Sequence, residues 1–73
     1  MNASRDRIRK LILGGKTHSV VIGERTIAIR ARQGRFQITI MKDGQKPNVW
    51  VYRKEAIAMD RFFEHCEYFR RGE

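Results

Sequence analysis

The chain has 73 residues, one cysteine and a formal net charge of +8. This length suits one small domain that buries only about 60% of its unfolded surface, so a partner or a second copy could add stability. A single cysteine excludes an internal disulfide framework, which is typical of a reducing compartment. No apolar run reaches the ~18 residues of a membrane span, and no signal-peptide plan opens the chain. We therefore expect a cytoplasmic protein that does not contact membranes.

The positive charge is concentrated in one part of the chain. Residues 1–54 hold thirteen lysines and arginines against three acidic residues, a net charge of +10, whereas residues 55–73 have a net charge of −2. Eleven of the sixteen cations are arginine, which binds phosphate through two parallel hydrogen bonds. Such segregation is typical of proteins that bind polyanions. A basic surface that serves only solubility is the alternative.

A short basic helix or arm is predicted at residues 1–15. The stretch SRDRIRKLIL suits a helix over residues 4–13, with Ser4 as N-cap and the glycine pair at 14–15 as its end. Its apolar side chains, Ile8, Leu11 and Ile12, then share one face. The letters LIL could instead open a strand, and that alternative stays open.

A sheet is predicted at residues 17–53, beginning with three antiparallel strands within residues 18–42. Gly23 is the first residue of a two-residue loop, as a type II′ turn requires, and Gln33-Gly34 forms a second such loop. These loops fix which residues face each other. Apart from His18, the residues placed on one face are all apolar: Val20, Ile27, Ile29, Ala31, Phe36, Ile38 and Ile40. The opposite face receives Ser19, Val21, Thr26, Ala28, Arg30, Arg32, Arg35, Gln37, Thr39 and Met41.

A fourth strand and a C-terminal helix complete the predicted fold. The breakers in KDGQKPN indicate a longer loop, VWVY reads as a strand, and the apolar period becomes helical over residues 54–71. The helix should cover the apolar sheet face with a stripe made of Met59, Phe62, Phe63, Cys66 and Phe69. The predicted fold class is therefore α+β: an antiparallel meander of three to four strands, a C-terminal helix on one face and a short N-terminal helix or arm.

Two apolar side chains of the C-terminal helix fall outside this stripe. Ile57 and Tyr68 lie about a third of a turn away from it. A small apolar patch of this kind is either incidental or the contact of a homodimer. Both interpretations stay open.

Catalytic and metal-binding motifs are not recognisable in the sequence. His65 and Cys66 are adjacent on the predicted helix, so their side chains diverge by about 100° and are poorly placed to share a metal. The glycine pair before Lys16 lacks the upstream glycine of a phosphate-binding loop. We therefore expect a protein that is not an enzyme, with no cofactor and no metal.

The cationic sheet face is the clearest functional signal. Arg32 and Arg35 are predicted to lie directly across the second turn, with Arg30 opposite Gln37. Like charges opposite one another destabilise paired strands. A phosphate bound between the two arginines would remove this repulsion. The alternative is that the side chains extend into water while their stems cover the sheet.

The strand VWVY has two possible orientations. If Val49 and Val51 enter the core, Trp50 and Tyr52 join the arginines on the uncovered face. Aromatic rings among cations are typical of sheets that hold single-stranded nucleic acid, because bases stack on the rings. The alternative buries the rings and exposes the valines. Because the phenylalanine-rich helix already supplies bulk, we expect the rings to be exposed.

Several stretches are similar to families of nucleic-acid-binding proteins. GRFQITI and VWVYRKEAIAMDRFF resemble the positive-cofactor family of single-stranded DNA-binding coactivators, which are relatives of the Whirly proteins. VVIGERTIAI and VWVYRKEAI are similar to the carbon-storage-regulator family of messenger-RNA binders, and that resemblance implies that Arg53 touches RNA. GRFQITIMKDG followed by KEAIAMDRF resembles the arm-binding domains of phage-type integrases. All three resemblances imply binding of nucleic acid by a sheet.

We therefore predict a small basic nucleic-acid-binding protein of a regulatory, phage or mobile-element type. Its nucleic acid is expected to be single-stranded, with DNA and RNA both open. The alternative is a small interaction or inhibitor protein that docks its basic face on an acidic host protein, and a homodimer stays open in either case. The predicted contact residues are Arg30, Arg32, Arg35, Gln37, Lys42, Lys46, Trp50, Tyr52 and Arg53.

Overall fold

The computed structural model describes residues 3–72 and has the α+β architecture expected from the sequence. Two helices flank four strands in chain order, and the strands form one antiparallel sheet in the order β1-β2-β3-β4. No helix in this described part of the chain combines the length and apolar character needed to cross a membrane. The elements are α1 (Ala3–Leu13), β1 (His18–Ile22), β2 (Arg25–Arg32), β3 (Arg35–Lys42), β4 (Asn48–Tyr52) and α2 (Glu55–Arg71).

Both helices pack on the same face of the sheet. Ile8 and Ile12 of α1 and Met59 and Phe62 of α2 belong to one buried cluster with the central isoleucines of the sheet. Those isoleucines are Ile27, Ile29, Ile38 and Ile40. Removing this apolar surface from water is the main stabilising contribution in so short a chain. The other face of the sheet is left without a covering layer in residues 3–72.

The predicted register of the first three strands is confirmed at every position. His18 lies opposite Ile29 in β1–β2, Ile29 lies opposite Ile38 in β2–β3, and Arg32 lies opposite Arg35 at the second turn. The turns explain this agreement. Gly23 has a φ of 60°, as the first position of a type II′ turn requires, and the loop between Arg32 and Arg35 has positive φ at both of its residues.

The helix α1 ends as predicted but begins earlier. Gly15 has a φ of 87°, its N–H donates to the carbonyl of Ile12, and the N–H of Lys16 donates to the carbonyl of Leu11. This pair of bonds is the Schellman motif that glycine favours at a helix C-terminus. Ser4, predicted as the N-cap, instead lies inside the helix, which already includes Ala3. The alternative of a strand at LIL is excluded.

The helix α2 covers the sheet with the predicted stripe. Met59, Phe62 and Cys66 are buried, and Phe63 and Phe69 pack against the core while partly exposed. Asp60, Glu64 and Glu67, which lie outside this stripe, are exposed. Ile57 and Tyr68 are also exposed, as expected from their positions outside the stripe.

The orientation predicted for β4 is wrong. Trp50 lies opposite Ile38 and Tyr52 opposite Phe36, so both rings are on the helix side of the sheet. Val49 and Val51 lie opposite Thr39 and Gln37 and therefore share the uncovered face. The rings were expected among the arginines, and they are not there.

The reason is the position of β4 at the edge of the sheet. The Trp50 ring extends to the flank of α2, where its centroid lies 4.9 Å from that of the His65 ring. Tyr52 packs against the buried cluster. Large rings bury more apolar surface against the helix layer than valines would, which favours this orientation. The long loop before β4 sets no register of its own, so this packing decides it.

Replacing Phe62 by alanine should strongly destabilise the fold. The Phe62 side chain is only 1% exposed and lies between the helix and the central isoleucines, so its removal should cost about 3–5 kcal/mol of the free energy of unfolding. Urea denaturation followed by circular dichroism measures this. Tyr68→Ala, at a position that is 71% exposed, is the matched control and should change the value by less than about 0.5 kcal/mol. Equal losses in the two variants would contradict this packing.

Candidate functional site

Among residues 3–72, the uncovered face of the sheet, which we call the open face, carries cations and no acidic residue. Strand alternation and register assign its members from all four strands. Its arginines come from the second half of β2 and the start of β3, on either side of the turn at residues 33–34. The open face consists of Ser19, Val21, Thr26, Ala28, Arg30, Arg32, Arg35, Gln37, Thr39, Met41, Val49 and Val51.

Cross-strand pairing fixes the geometry of the arginines. Nε and Nη2 of Arg30 both donate to Oε1 of Gln37, at 3.3 and 3.1 Å, so this guanidinium is held in place. Arg32 and Arg35 are paired directly across the turn and are both exposed. Two like charges at this spacing repel each other, and an anion between them would relieve that repulsion.

Most of the acidic side chains form ion pairs away from the open face. Five of the seven acidic residues within residues 3–72 lie in ion pairs, and each of their partners is a cation outside the open face. Arg30, Arg32 and Arg35 take part in none of these pairs. The pairs are Arg5–Asp60, Arg9–Glu55, Lys42–Glu24, Arg61–Glu64 and Arg71–Glu67.

The basic N-terminal segment is partly neutralised by α2. Nη1 of Arg5 lies 2.7 Å from Oδ1 of Asp60, and Nε of Arg9 donates to Oε1 of Glu55 at 2.6 Å. These contacts join α1 to α2 over their shared core. Two cations of the basic N-terminal segment, Arg5 and Arg9, are therefore engaged within the protein.

The structure brings together only some of the predicted contact residues. Arg30, Arg32, Arg35 and Gln37 share the open face, as predicted. Lys42 occupies a helix-side position opposite Arg25, with its Nζ 3.8 Å from Oε2 of Glu24, so it does not join them. The remaining cations flank β4 and are exposed, Lys46 in the preceding loop and Arg53 directly after the strand.

Apolar residues on the open face were not among the predicted contact residues. Val21 is 71% exposed, and Met41, Val49 and Val51 are 41–55% exposed. A shallow depression of about 340 Å³ brings Val49 and Met41 together with Arg30 and Gln37. The available signal was that VWVY is apolar at every position, so that one pair had to be exposed whichever way the strand faced.

The contact between the Trp50 and His65 rings joins the helix side of β4 to α2. Burial lowers the pKa of His65 and is the largest effect on it; Glu64 opposes this shift and Arg61 adds to it. The neutral imidazole is therefore favoured against the Trp50 ring. Trp50 remains 36% exposed, so its outer edge is open to solvent.

The other side chains that could bind a metal ion, Cys66 and His18, pack within the fold instead. Cys66 is buried in the core, and burial raises the pKa of its thiol, with Arg70 opposing the shift. His18 lies edge-on to Phe62 at a centroid distance of 5.8 Å. No group of three or more histidine, cysteine or acidic side chains within residues 3–72 is arranged to hold a metal ion.

Comparison with protein-family models, curated proteins and solved structures found no match to this chain. The three resemblances noted in the sequence therefore receive no support from these comparisons.

Acidification should weaken the fold through His65. Because its pKa in the folded protein lies below the ordinary value of 6.5, the unfolded chain binds more protons as the pH falls through that value. The free energy of unfolding should therefore decrease as the pH falls below about 6.5. Urea denaturation at about pH 7.5 and about pH 5 measures the decrease.

The control for this prediction is His65→Gln, which keeps a polar side chain of similar size but does not titrate. Its free energy of unfolding should depend less steeply on pH over the same range. The same pH dependence in both proteins would show that burial against Trp50 does not perturb His65.

Proposed function

We propose that the protein binds nucleic acid through the arginines of the open face. Arg30, Arg32 and Arg35 supply the contacts to phosphate, and Gln37 holds the first of them in position. Lys46 and Arg53, at the two ends of β4, extend the positive surface. The protein then acts as a cytoplasmic binding protein rather than as an enzyme.

One observation carries this proposal: the charges are separated between the two sides of the sheet. The helix layer and its flanks hold both signs of charge in ion pairs, whereas the described residues of the open face hold three arginines and no acid. A surface meant only for solubility would mix the two signs. Uncompensated arginines on an accessible sheet are suited to phosphate, which accepts two parallel hydrogen bonds from each guanidinium.

The placement of the rings changes the expected form of the nucleic acid. Stacking of bases was the reason to prefer single strands, and it required Trp50 and Tyr52 on the open face. With both on the helix side, that face offers guanidinium, amide and hydroxyl groups, which contact phosphates and base edges. We therefore propose that duplex binds at least as tightly as a single strand of equal length.

Alanine substitution at Arg32 should weaken binding to duplex DNA and reduce its salt dependence. Three arginine contacts to phosphate predict a slope of about −2.7 in a plot of log K against log salt, and loss of one contact should make the slope shallower by about 0.9. Fluorescence anisotropy with a labelled random-sequence duplex over a range of salt concentrations measures both quantities.

The matched control is Arg61→Ala, which removes the same charge from α2, on the other side of the sheet. It should leave the slope unchanged and affect affinity less than Arg32→Ala does. Equal effects of the two substitutions would mean that net charge alone drives binding. Absence of binding at low salt would refute the proposed function.

A further inference from the structure

The strand β4 has the sequence of an interior strand but lies at an edge. Its apolar side chains occupy both faces, Val49 and Val51 on the open face and Trp50 and Tyr52 on the helix side. Strands that are apolar on both faces normally have neighbours on both sides and covering layers above and below. Within residues 3–72, β4 pairs with β3 alone.

The side chains of β4 are exposed, although their apolar character is typical of an interior strand. Val49 is 50% exposed, Val51 is 55% exposed and Trp50 is 36% exposed. The opposite edge strand behaves differently, because β1 alternates between exposed and more buried positions and ends at the buried Ile22. β1 does expose Val21, at 71%, but as a single apolar side chain, whereas β4 exposes three adjacent ones, Val49, Trp50 and Val51.

The edge of β4 lacks the features that normally prevent a further strand from pairing. Edge strands are usually protected by a lysine, a proline or a bulge within the strand. The five residues of β4 contain no lysine or proline, and their register with β3 is unbroken. Pro47 ends the strand on one side, so the accessible edge is about 17 Å long.

The charges around β4 indicate what kind of neighbour it takes. Lys46 precedes the strand and Arg53 and Lys54 follow it, and none of the three has an ion-pair partner among the described residues. A second copy of the chain, paired antiparallel about Trp50, would bring Lys46 opposite Lys54 of that copy at both ends. Such like-charge pairs are unfavourable, and each copy carries a net charge of +8.

We propose that the edge of β4 binds an extended acidic segment of another protein as a fifth strand of the sheet. The backbone of the segment pairs with the outer edge of β4, as in other cases of strand addition. Its side chains alternate between the valines of the open face and the ring of Trp50. Carboxylates at its ends meet Lys46 on one side and Arg53 and Lys54 on the other.

A synthetic peptide tests this proposal. The probe is a fluorescein-labelled peptide of alternating valine and threonine with glutamates at both ends, about seven residues long to match a short strand. The full chain should bind it about tenfold more tightly than the same peptide with lysines at its ends, by fluorescence anisotropy. The backbone amide resonances that shift on binding should be those of residues 48–54.

Modified peptides separate strand addition from attraction of charge. Alternate backbone N–H groups of an added strand point towards β4. Two peptides are therefore compared, one N-methylated at the odd-numbered amides and one at the even-numbered amides. Both keep the charge, but in one of them the N–H groups that would bond to β4 are blocked. One of them should bind at least about tenfold more weakly than the parent peptide. If both bind as tightly as the parent, the proposal is wrong.

Substitutions in the protein give the remaining controls. Lys54→Ala should weaken binding of the acidic peptide by about two- to fivefold, as expected for an exposed ion pair, whereas Lys16→Ala should not. The Arg32→Ala variant should keep its affinity for the peptide, so failure of nucleic-acid binding and failure of this proposal are distinguishable. Peptide-induced shifts confined to the arginines of the open face, or a dimer formed through β4 in light scattering, would overturn the proposal.

Discussion

The four isoleucines at the centre of the sheet are the contact on which both helices depend. Ile27 and Ile29 of β2 face Ile40 and Ile38 of β3, and α1 and α2 close over them from the same side. Because side chains alternate along a strand, this choice of face also determines where the intervening residues point. Arg30, Arg32 and Arg35 are uncovered because the isoleucines that alternate with them along β2 and β3 are buried.

The same arrangement explains the separation of charge. The acidic residues of α2 lie next to cations of α1 and of α2 itself, so the helix layer neutralises much of its own charge. The open face has no such helix over it within the described residues, and Arg30, Arg32 and Arg35 form no ion pair there. A core too small to cover both faces of the sheet therefore leaves a surface suited to an anionic partner.

Most of the fold could be predicted from the sequence because two short turns determine it. Gly23 and the pair Gln33-Gly34 set the register of three strands, and the alternation of isoleucine and polar residues confirms that register. The orientation of β4 could not be predicted in this way, since its loop has no fixed turn and both faces of the strand are apolar. The outcome depends on tertiary packing: the rings bury more apolar surface against the helix layer than the valines would. The predicted sheet face was correspondingly right for Arg30, Arg32 and Arg35 and wrong for Trp50 and Tyr52, whereas contact of these residues with nucleic acid stays a prediction.

The position of the Trp50 ring is the most direct test of this account. Nuclear Overhauser contacts from the Trp50 indole protons, recorded on the isotope-labelled protein, report which side of the sheet the ring occupies. With the ring on the helix side, contacts to the imidazole protons of His65 on α2 are expected. Contacts from the indole to the side chains of Arg30 and Gln37 would place the ring on the open face and contradict both the register of β4 and the ring-free cationic surface derived from it.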